Sequence, residues 1–494
     1  MQKIIFWIGS NFTHYFIAKG IQDLIKTQNY AVFDITNRQK IFFKNQKIVD
    51  FQKIWFYHDE INGINQKPDL EFLSRFENEY KIDLSKIIFS ERIFSEFNEF
   101  YNFETNQMLK ILELECRFFE NILKNNRPDF VLMFTPYLHH EVLFFKLCKS
   151  MNIKVLELNA TRFSEQGVIN FEEKIKKYED YVPKIVMKDF VELRQYFEEK
   201  NIFIQNKKSL DDLKGNFSEL FKSAIDYFLF SKNDNVMTHY TYFGRTKFKV
   251  LKNYLSDVYR VRKRKRFIDK YFLKNINEGK YILFPLQTPA ESSLLVNAPL
   301  LTNQIEIIDQ ISKSIPIEYK LLVKEHPASI TRSWRSIKDY EKIIKTPRVI
   351  PIHPDVEITE IIKKSSLIIT ISSTVALDSL FYEKPSLILS ETTFSMIPSI
   401  YKLKEIINLS DAIKDSLTRK VNPVDLDKYI QFSNDISFQF NPLGFAQKIS
   451  NYFHFSGKFV DTELNYEGVL NFINMEQESI KILAEQYIKN MEKN

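Results

Sequence analysis

Residues 367–381, LIITISSTVALDSLF, form a complete strand–loop–helix unit. The first five residues, 367–371, are apolar or β-branched and predict a buried strand. Ser372, Ser373 and Thr374 follow as a polar loop, and the spacing of 375–381 predicts a short helix that begins at these hydroxyl residues. A buried strand that passes through a short loop into a helix is the building unit of a parallel sheet, so this stretch predicts an α/β fold.

The same unit recurs on both sides of this stretch. In the C-terminal half, further strands are predicted at 281–286, 319–323, 349–352 and 386–389, with helices at 303–314, 337–344, 357–363 and 375–381. In the N-terminal part, strands are predicted at 3–8, 30–35, 54–57, 87–89, 130–134 and 154–158, with a helix at 14–26. Each half therefore predicts a Rossmann-like parallel sheet.

Long charged and aromatic helical patterns separate and follow these two halves. We predict an N-terminal α/β lobe at 1–187, a helical insertion or bridge at 188–275, a C-terminal α/β lobe at 276–400 and a helical extension at 401–494. Ligands of open parallel sheets bind at the carboxyl ends of the strands, so we expect the functional residues in the loops after strands, facing a cleft between the lobes.

Glycine is scarce, with 10 residues in 494, and neither GxGxxG nor GxxxxGK[ST] occurs. P-loop NTPases, kinases and ordinary dinucleotide enzymes are therefore excluded. No glycine lies between Gly279 and Gly444, so a nucleotide bound by the C-terminal lobe has to be held without a glycine-rich cradle. GxSxG and HExxH are also absent.

Two cysteines form no disulfide framework, and we find neither a signal peptide nor a membrane-spanning apolar run. We therefore expect a cytoplasmic protein. The formal net charge is +6, with a concentration of cations at Arg260–Arg266 in a helical pattern. This run predicts either contact with an anionic membrane surface, which would place the protein at the inner membrane, or a solvated helix face. No nucleic-acid reader motif accompanies it.

Two loops of the C-terminal lobe carry phosphate-binding chemistry. Lys324, His326 and Pro327 follow the strand 319–323, where a cation and an imidazole at a fixed turn suit an anion. Arg332 and Arg335 add positive charge nearby. The loop Ser372–Thr374 offers hydroxyls and the N–H groups of a helix start, which together make a metal-free anion site. A solvated turn and an ordinary N-cap are the alternative interpretations of these loops.

Other loop residues fit a cleft. Gln287 and Glu291 follow the strand 281–286, and a carboxylate there suits a general base for an acceptor hydroxyl. Gly9 and Ser10 follow the first strand and admit a ligand closely. The second His-Pro pair, His353 and Pro354, fits a structural turn or a contact to a nucleotide base.

We expect no metal ion. The adjacent His139 and His140 do not share a helix face, and Asp425 and Asp427 lie just after Pro423, where carboxylates favour a helix start. We interpret all four side chains as structural.

Three motifs together resemble the capsular polysaccharide biosynthesis proteins. They are FPLQTPAESS at 284–293, LVKEHP at 322–327, and ITISSTVALDSL at 369–380 followed by YEKP at 382–385. That family is similar to Kdo-transferases and bacterial sialyltransferases of the two-lobed GT-B fold. The likeness continues only as a pattern through the first 160 residues, including LELNATRF at 156–163, and we expect its Arg162 to line the acceptor side of the cleft.

The resemblance implies a metal-independent glycosyltransferase without cofactor that uses a nucleotide sugar. It implies a CMP-activated 2-keto sugar acid as the donor and a glycan, lipid-linked or protein acceptor. By the same resemblance His326, Ser372 and Ser373 are donor-phosphate ligands, with His326 an acid for the leaving phosphate. The family's Pro-Glu-Ala is replaced by Pro-Ala-Glu here, so Glu291 is displaced by one position.

Three alternatives remain open at this point. A nucleotide-sugar 2-epimerase has the same two-lobed fold, but we expect an acid and Ser-Gly-Gly where this chain has Ser372-Ser-Thr374. A transferase that uses a UDP- or GDP-sugar would share the fold and the loops. A non-catalytic module would use the basic helix around Arg260–Arg266 to bind a membrane or a partner.

Overall fold

The computed structural model describes residues 1–95, 98–163, 166–184, 188–200, 217–230, 240–289, 291–330 and 335–493. Arg332, expected near the His-Pro loop, lies outside these residues. The described chain forms two α/β lobes, each built on a six-stranded sheet.

The N-terminal sheet has the order β3-β2-β1-β4-β5-β6 and is parallel except for β6, which pairs antiparallel to β5. Its strands are β1 Lys3–Gly9, β2 Gln28–Asp34, β3 Lys53–Phe56, β4 Phe130–Phe134, β5 Lys154–Ala160 and β6 Gly167–Ile169. β1 and β4 are buried apolar runs, as expected for strands covered on both faces.

The C-terminal sheet is parallel throughout, in the order β12-β11-β10-β7-β8-β9. Its strands are β7 Tyr281–Pro285, β8 Lys320–Lys324, β9 Val349–Ile352, β10 Leu367–Thr370, β11 Ser386–Ile388 and β12 Ile400–Lys402. The predicted boundary at residue 400 falls inside β12.

Both sheets have the strand order 3-2-1-4-5-6 when their strands are counted within each lobe. This is the order of the dinucleotide-binding fold, in which the strand order reverses between the first and the fourth strand while the strands stay parallel. The switch points lie between β1 and β4 in the N-terminal lobe and between β7 and β10 in the C-terminal lobe. The predicted GT-B-like fold of two Rossmann-like lobes is confirmed.

Helices cover the faces of both sheets. In the N-terminal lobe they are α1 Thr13–Leu24, α2 Asn37–Asn45, α3 Tyr57–Glu60, α4 Leu70–Tyr80, α5 Leu84–Phe89, α6 Arg92–Ser95, α7 Thr105–Asn126, α8 His139–Ser150 and α9 Phe171–Ile175. The strand predicted at 87–89 is wrong. Asp83 accepts a hydrogen bond from the Lys86 N–H and caps a helix there instead.

The helices of the insertion are α10 Phe190–Lys200, α11 Phe217–Phe230 and α12 Lys247–Tyr271. Those that follow are α13 Ser292–Leu295, α14 Gln304–Ser314, α15 Ile337–Lys345, α16 Ile358–Lys364, α17 Val375–Leu380, α18 Leu409–Thr418, α19 Pro423–Ile436, α20 Pro442–Phe453, α21 Tyr466–Met475 and α22 Gln477–Glu492. Of the helices described, none is long and apolar enough to cross a membrane.

The C-terminal helices return to the N-terminal lobe and complete its core. α22 packs along α1, where His14 Nε2 lies 2.9 Å from the Tyr487 hydroxyl in a buried contact. Gly20 permits this approach, because a Cβ at that position would lie 2.9 Å from the Ala484 Cβ. The helical extension therefore stabilises the lobe at the other end of the sequence.

The two lobes also meet near their facing edges. Arg162, after β5, donates to both carboxylate oxygens of Asp378 on α17 at 2.7 and 2.8 Å. The adjacent Phe163 ring packs edge-on against the Phe381 ring. The lobes are thus joined by a charged contact and an aromatic contact beside the α17 loop.

Candidate functional site

The switch point of the C-terminal lobe brings together the loops after β7 and β10. The Gln287 side chain accepts from the Ser372 N–H at 3.1 Å and donates to the Ser372 hydroxyl at 3.0 Å. That hydroxyl donates in turn to the Ser293 carbonyl at 2.9 Å. Gln287, predicted to line the cleft, therefore ties the two loops together, and Ser372 is buried as part of this link.

Glu325 fixes the loop after β8, a role that the sequence did not reveal. Its carboxylate is fully buried and accepts from Arg335 at 2.6 Å, from the Tyr340 hydroxyl at 2.7 Å and from the His326 N–H at 2.6 Å. Arg335 also donates to the Gln287 carbonyl. This network fixes the His326 backbone at the same sheet edge as the Ser372 loop.

His326 is half-buried at the mouth of this edge. Burial lowers the pKa of its imidazole, and this outweighs the opposing effect of the Glu291 carboxylate. The ring is therefore neutral at pH 7. Its Nδ1 accepts from the Ala328 N–H at 3.2 Å, which assigns the ring proton to Nε2. The ring proton of His326 therefore lies on Nε2, and the imidazole carries no permanent positive charge.

Glu291 is exposed on the loop after β7, close enough to act on the pKa of His326. Its carboxylate accepts from the Thr288 hydroxyl at 3.1 Å, and its carbonyl accepts from the Leu294 N–H at the start of α13. The structure therefore brings the predicted base and the predicted phosphate ligand to one place, with the carboxylate open to solvent.

The three hydroxyl residues before α17 differ in exposure. Ser372 is buried, Ser373 is half-buried and Thr374 is exposed. Ser373 Oγ accepts from the Val375 N–H at 3.3 Å, and Thr374 provides the carbonyl for the first turn. Because Ser372 already bonds within the protein, Ser373 and Thr374 are the members of the motif that face outward.

Lys324 was predicted to bind the donor phosphate, but its ammonium group is bonded within the protein. Its ammonium donates to the carbonyls of Pro354 at 2.9 Å and Glu325 at 3.3 Å, and burial lowers its pKa to about 8. Lys324 therefore connects the loops after β8 and β9, while Pro327 is exposed at the loop tip. His353, in the second His-Pro pair, lies with Nε2 3.0 Å from Asp269 and fits its expected structural role.

In the N-terminal lobe, the end of β1 is open. A Cβ on Gly9 would meet no atom within 4 Å, so this glycine leaves room for a ligand at the switch point. The Ser10 carbonyl lies 2.9 Å from His454 Nε2, which fixes the loop against the C-terminal extension. Gly9 pairs in register with Asp34, the last residue of β2.

Asp34 lies at the centre of a polar cluster that the sequence analysis missed. Its two carboxylate oxygens contact His58 Nε2 at 2.7 Å and His140 Nε2 at 2.9 Å. Burial alone would raise the pKa of Asp34, but the charge of His140 and the hydrogen bonds from both imidazoles hold it well below its usual range. Asp34 is therefore a permanent carboxylate at the sheet edge beside Gly9.

His139 lies behind this cluster between two buried carboxylates. Its Nδ1 is 2.6 Å from Glu91 and its Nε2 is 2.9 Å from Glu115. Burial lowers the pKa of His139, but the two carboxylates outweigh this effect and raise it to about 10. The ring is therefore an imidazolium, which fits the structural role predicted for it.

The same polar residues include two groups whose ligand atoms lie within 4.8 Å of one another. They are Glu115, His139 and His140, and Asp34, His140 and Glu141. The His139 nitrogens and His140 Nε2 are engaged by carboxylates of the protein, so the contacts are those of ion pairs. The absence of a metal requirement stays a prediction.

A signal for the Asp34 cluster was present in the sequence. Asp34 ends β2, and His58 and the pair His139–His140 follow β3 and β4 of the same sheet. The carboxyl ends of parallel strands meet at one edge. Arg162, predicted to line the cleft, is committed to Asp378 and connects the lobes instead of standing free in the cleft.

Two Rossmann-like lobes whose switch points carry polar side chains define a class of protein that binds its ligand at these sheet edges. Residues 192–401 match the family described as capsule polysaccharide biosynthesis protein. The three motifs lie inside this range, so the match confirms the resemblance drawn from them and supports the predicted glycosyltransferase activity.

Comparison with solved structures gives distant matches. A UDP-GlcNAc 2-epimerase from Methanocaldococcus jannaschii is 12% identical with a TM-score of 0.26, over 87% of this chain and 98% of that one. The beta Kdo 2,7 transferase of KpsC from Thermosulfurimonas dismutans is 11% identical with a TM-score of 0.28, over 68% and 88%. The beta Kdo 2,4 transferase of that KpsC is 8% identical with a TM-score of 0.30, over 60% and 78%. Comparison with curated proteins gave no match.

Proposed function

We propose that this protein is a metal-independent glycosyltransferase that makes a surface glycan from a nucleotide-activated sugar. The observation that carries the proposal is the network of Gln287, Glu325 and Arg335, which holds the His326 loop and the Ser373 loop at one sheet edge. Glycosyl transfer without a metal ion needs preorganised donors for the charge of the departing phosphate. This edge supplies an imidazole N–H and outward hydroxyls.

The proposed donor site lies in the C-terminal lobe. His326 Nε2–H and the hydroxyls of Ser373 and Thr374 bind the phosphate next to the sugar. The arrival of the anion raises the pKa of His326, because an opposite charge favours the imidazolium. His326 then stabilises the phosphate as the glycosidic bond to the donor breaks.

The proposed acceptor site lies across the cleft. The open end of β1 at Gly9 admits a sugar ring, and the Asp34 carboxylate beside it accepts hydrogen bonds from hydroxyls. Glu291 takes the proton of the attacking hydroxyl, since it is an exposed carboxylate next to His326. The acceptor is a glycan, free or carried on a lipid or a protein.

The donor is proposed to be a CMP-activated 2-keto sugar acid, on the resemblance of the HP and Ser-Ser motifs to Kdo- and sialyltransferases. The alternative is a UDP- or GDP-sugar. A thermal-shift panel with CMP, UDP and GDP separates these donors, because a ligand that binds only the native state raises the melting temperature. CMP is expected to stabilise the protein most. Stabilisation by UDP alone would overturn the CMP assignment.

Transfer itself tests the site residues. His326→Ala and Ser373→Ala are expected to abolish transfer and weaken nucleotide binding, whereas the exposed control Ser74→Ala leaves both unchanged. Excess EDTA is expected to leave transfer intact, and complete loss would reject a metal-independent reaction. We further propose that the enzyme works at the cytoplasmic face of a membrane, with the exposed cations of the Arg260–Arg266 run, among them Arg262, Lys263 and Arg266, toward the lipid.

A further inference from the structure

The solvent side of α12 is apolar, the reverse of an ordinary surface helix. Phe248, Leu251, Leu255 and Tyr259 follow one another at spacings of three and four residues, and all are exposed, Phe248 by 77%. With about 100° of rotation per residue, they lie within an arc of about 80°. The described residues therefore present a continuous apolar stripe on α12 to solvent.

The same helix is also strongly basic. α12 contains ten Lys and Arg residues and two Asp residues. Lys252, Arg262, Lys263 and Arg266 are exposed and border or extend the apolar stripe. Arg264 points the other way and is buried. The predicted run Arg260–Arg266 is thus divided between the protein and the solvent.

Arg260 of this run also bonds within the protein, because it donates to Glu99 of the N-terminal lobe at 2.7 Å.

The end of α11 extends the apolar surface at the other end of α12. Lys247 Nζ donates to the Phe228 carbonyl at 2.6 Å, which places the last turn of α11 at the start of α12. In that turn Phe228, Leu229 and Phe230 are all exposed.

We infer that this surface, formed by the last turn of α11 and the outward face of α12, inserts its apolar side chains into an anionic lipid bilayer. The inference rests on the proposed membrane location and names the side chains that make the contact. Aromatic and aliphatic side chains bordered by Lys and Arg are typical of helices that lie in the bilayer interface. Two copies of this surface would repel each other by their like charge, so a second copy of the chain is not the occupant.

Flotation of the full chain with vesicles measures the contact. Vesicles of phosphatidylcholine with phosphatidylglycerol are expected to bind the protein, and vesicles of phosphatidylcholine alone are expected to bind it weakly, because each cation near an anionic leaflet contributes attraction. Equal binding to both vesicles, or to neither, would overturn the inference.

Two sets of variants separate the apolar and the basic contributions. Leu255→Ala with Tyr259→Ala is expected to lower binding to anionic vesicles by tenfold or more, since the buried apolar area supplies the insertion energy. Arg262→Gln with Lys263→Gln is expected to lower it roughly 25-fold, about fivefold for each cation. If Leu255→Ala with Tyr259→Ala binds anionic vesicles like the wild type, the apolar side chains do not insert, and the inference is overturned in favour of electrostatic attraction alone.

The controls are an exposed apolar residue and an exposed cation elsewhere, Ile317→Ala and Lys338→Gln, which are expected to bind vesicles like the wild type. Nucleotide-induced stabilisation of every variant is expected to equal that of the wild type. Loss of vesicle binding with normal transfer to a soluble acceptor is the expected result for the stripe variants. Normal vesicle binding with no transfer to any acceptor would contradict the proposed function alone.

Discussion

Removal of the Arg335 guanidinium tests how the His326 loop is held. Arg335→Met leaves the Glu325 carboxylate, which is 0% exposed, with the Tyr340 hydroxyl and the His326 N–H as its remaining hydrogen-bond donors. An ion pair broken in this way costs about 3–5 kcal/mol of unfolding free energy, because a buried charge loses its counter-charge. The same change removes the donor to the Gln287 carbonyl.

The second variant, Glu325→Gln with Arg335→Met, removes both charges. We expect its loss of unfolding free energy to be smaller, by about 2 kcal/mol or more, than the summed losses of the two single variants, since no uncompensated charge remains. Urea denaturation of the full chain, followed by circular dichroism, measures these differences. Arg419→Met is the matched control, because its pair with Asp415 is exposed and contributes about 0–1 kcal/mol.

A loss of less than about 1 kcal/mol for Arg335→Met, or additive effects in the cycle, would refute this reasoning. The variant also has a functional readout. Nucleotide binding is expected to weaken in Arg335→Met, because the His326 backbone is fixed through Glu325. Unchanged nucleotide affinity would show that this network does not position the loop.

Three further outcomes are expected. The pKa of His139 is raised to about 10 in the folded protein, so its charged contacts stabilise the fold in full below pH 6.5 and are lost as the pH rises through about 10. His139→Gln removes this contribution. The decline in melting temperature at alkaline pH should therefore be smaller in His139→Gln than in the wild type. Gly20→Ala should destabilise by about 1–3 kcal/mol through overlap with α22, and Ala484→Gly should restore part of this in a denaturation series. Arg162→Met should lower the melting temperature less at pH about 5 than at pH about 8, because protonation removes the unpaired charge of the buried Asp378.

Local sequence patterns predicted five of the six strands of each sheet, and the edge strands β6 and β12, of three residues each, were missed. The strands 130–134 and 349–352 were predicted with the bounds observed, because each is a short apolar run between polar residues. The run at 87–89 has the same composition but lies in a helix, since Asp83 provides a cap and Ile87 and Ile88 pack against the core. Composition alone does not distinguish a buried strand from a short buried helix.

The loops of the candidate site were also found from sequence, because polar residues follow strands at 287, 326 and 373. The partners of those residues were not found. Glu325 is paired by Arg335 and Tyr340, which lie ten and fifteen positions further along the chain on another element. Such contacts depend on how elements pack, and no local pattern encodes them.

The central claim is that the His326 and Ser373 loops bind the phosphate of a nucleotide-sugar donor. Titration calorimetry of CMP into the wild-type protein, His326→Ala and Ser373→Ala tests it most directly. The wild type is expected to bind, with affinity reduced about tenfold or more in each variant, since each loses a hydrogen bond to a charged group worth about 1.5–3 kcal/mol. Equal affinity for CMP in all three proteins would contradict the claim.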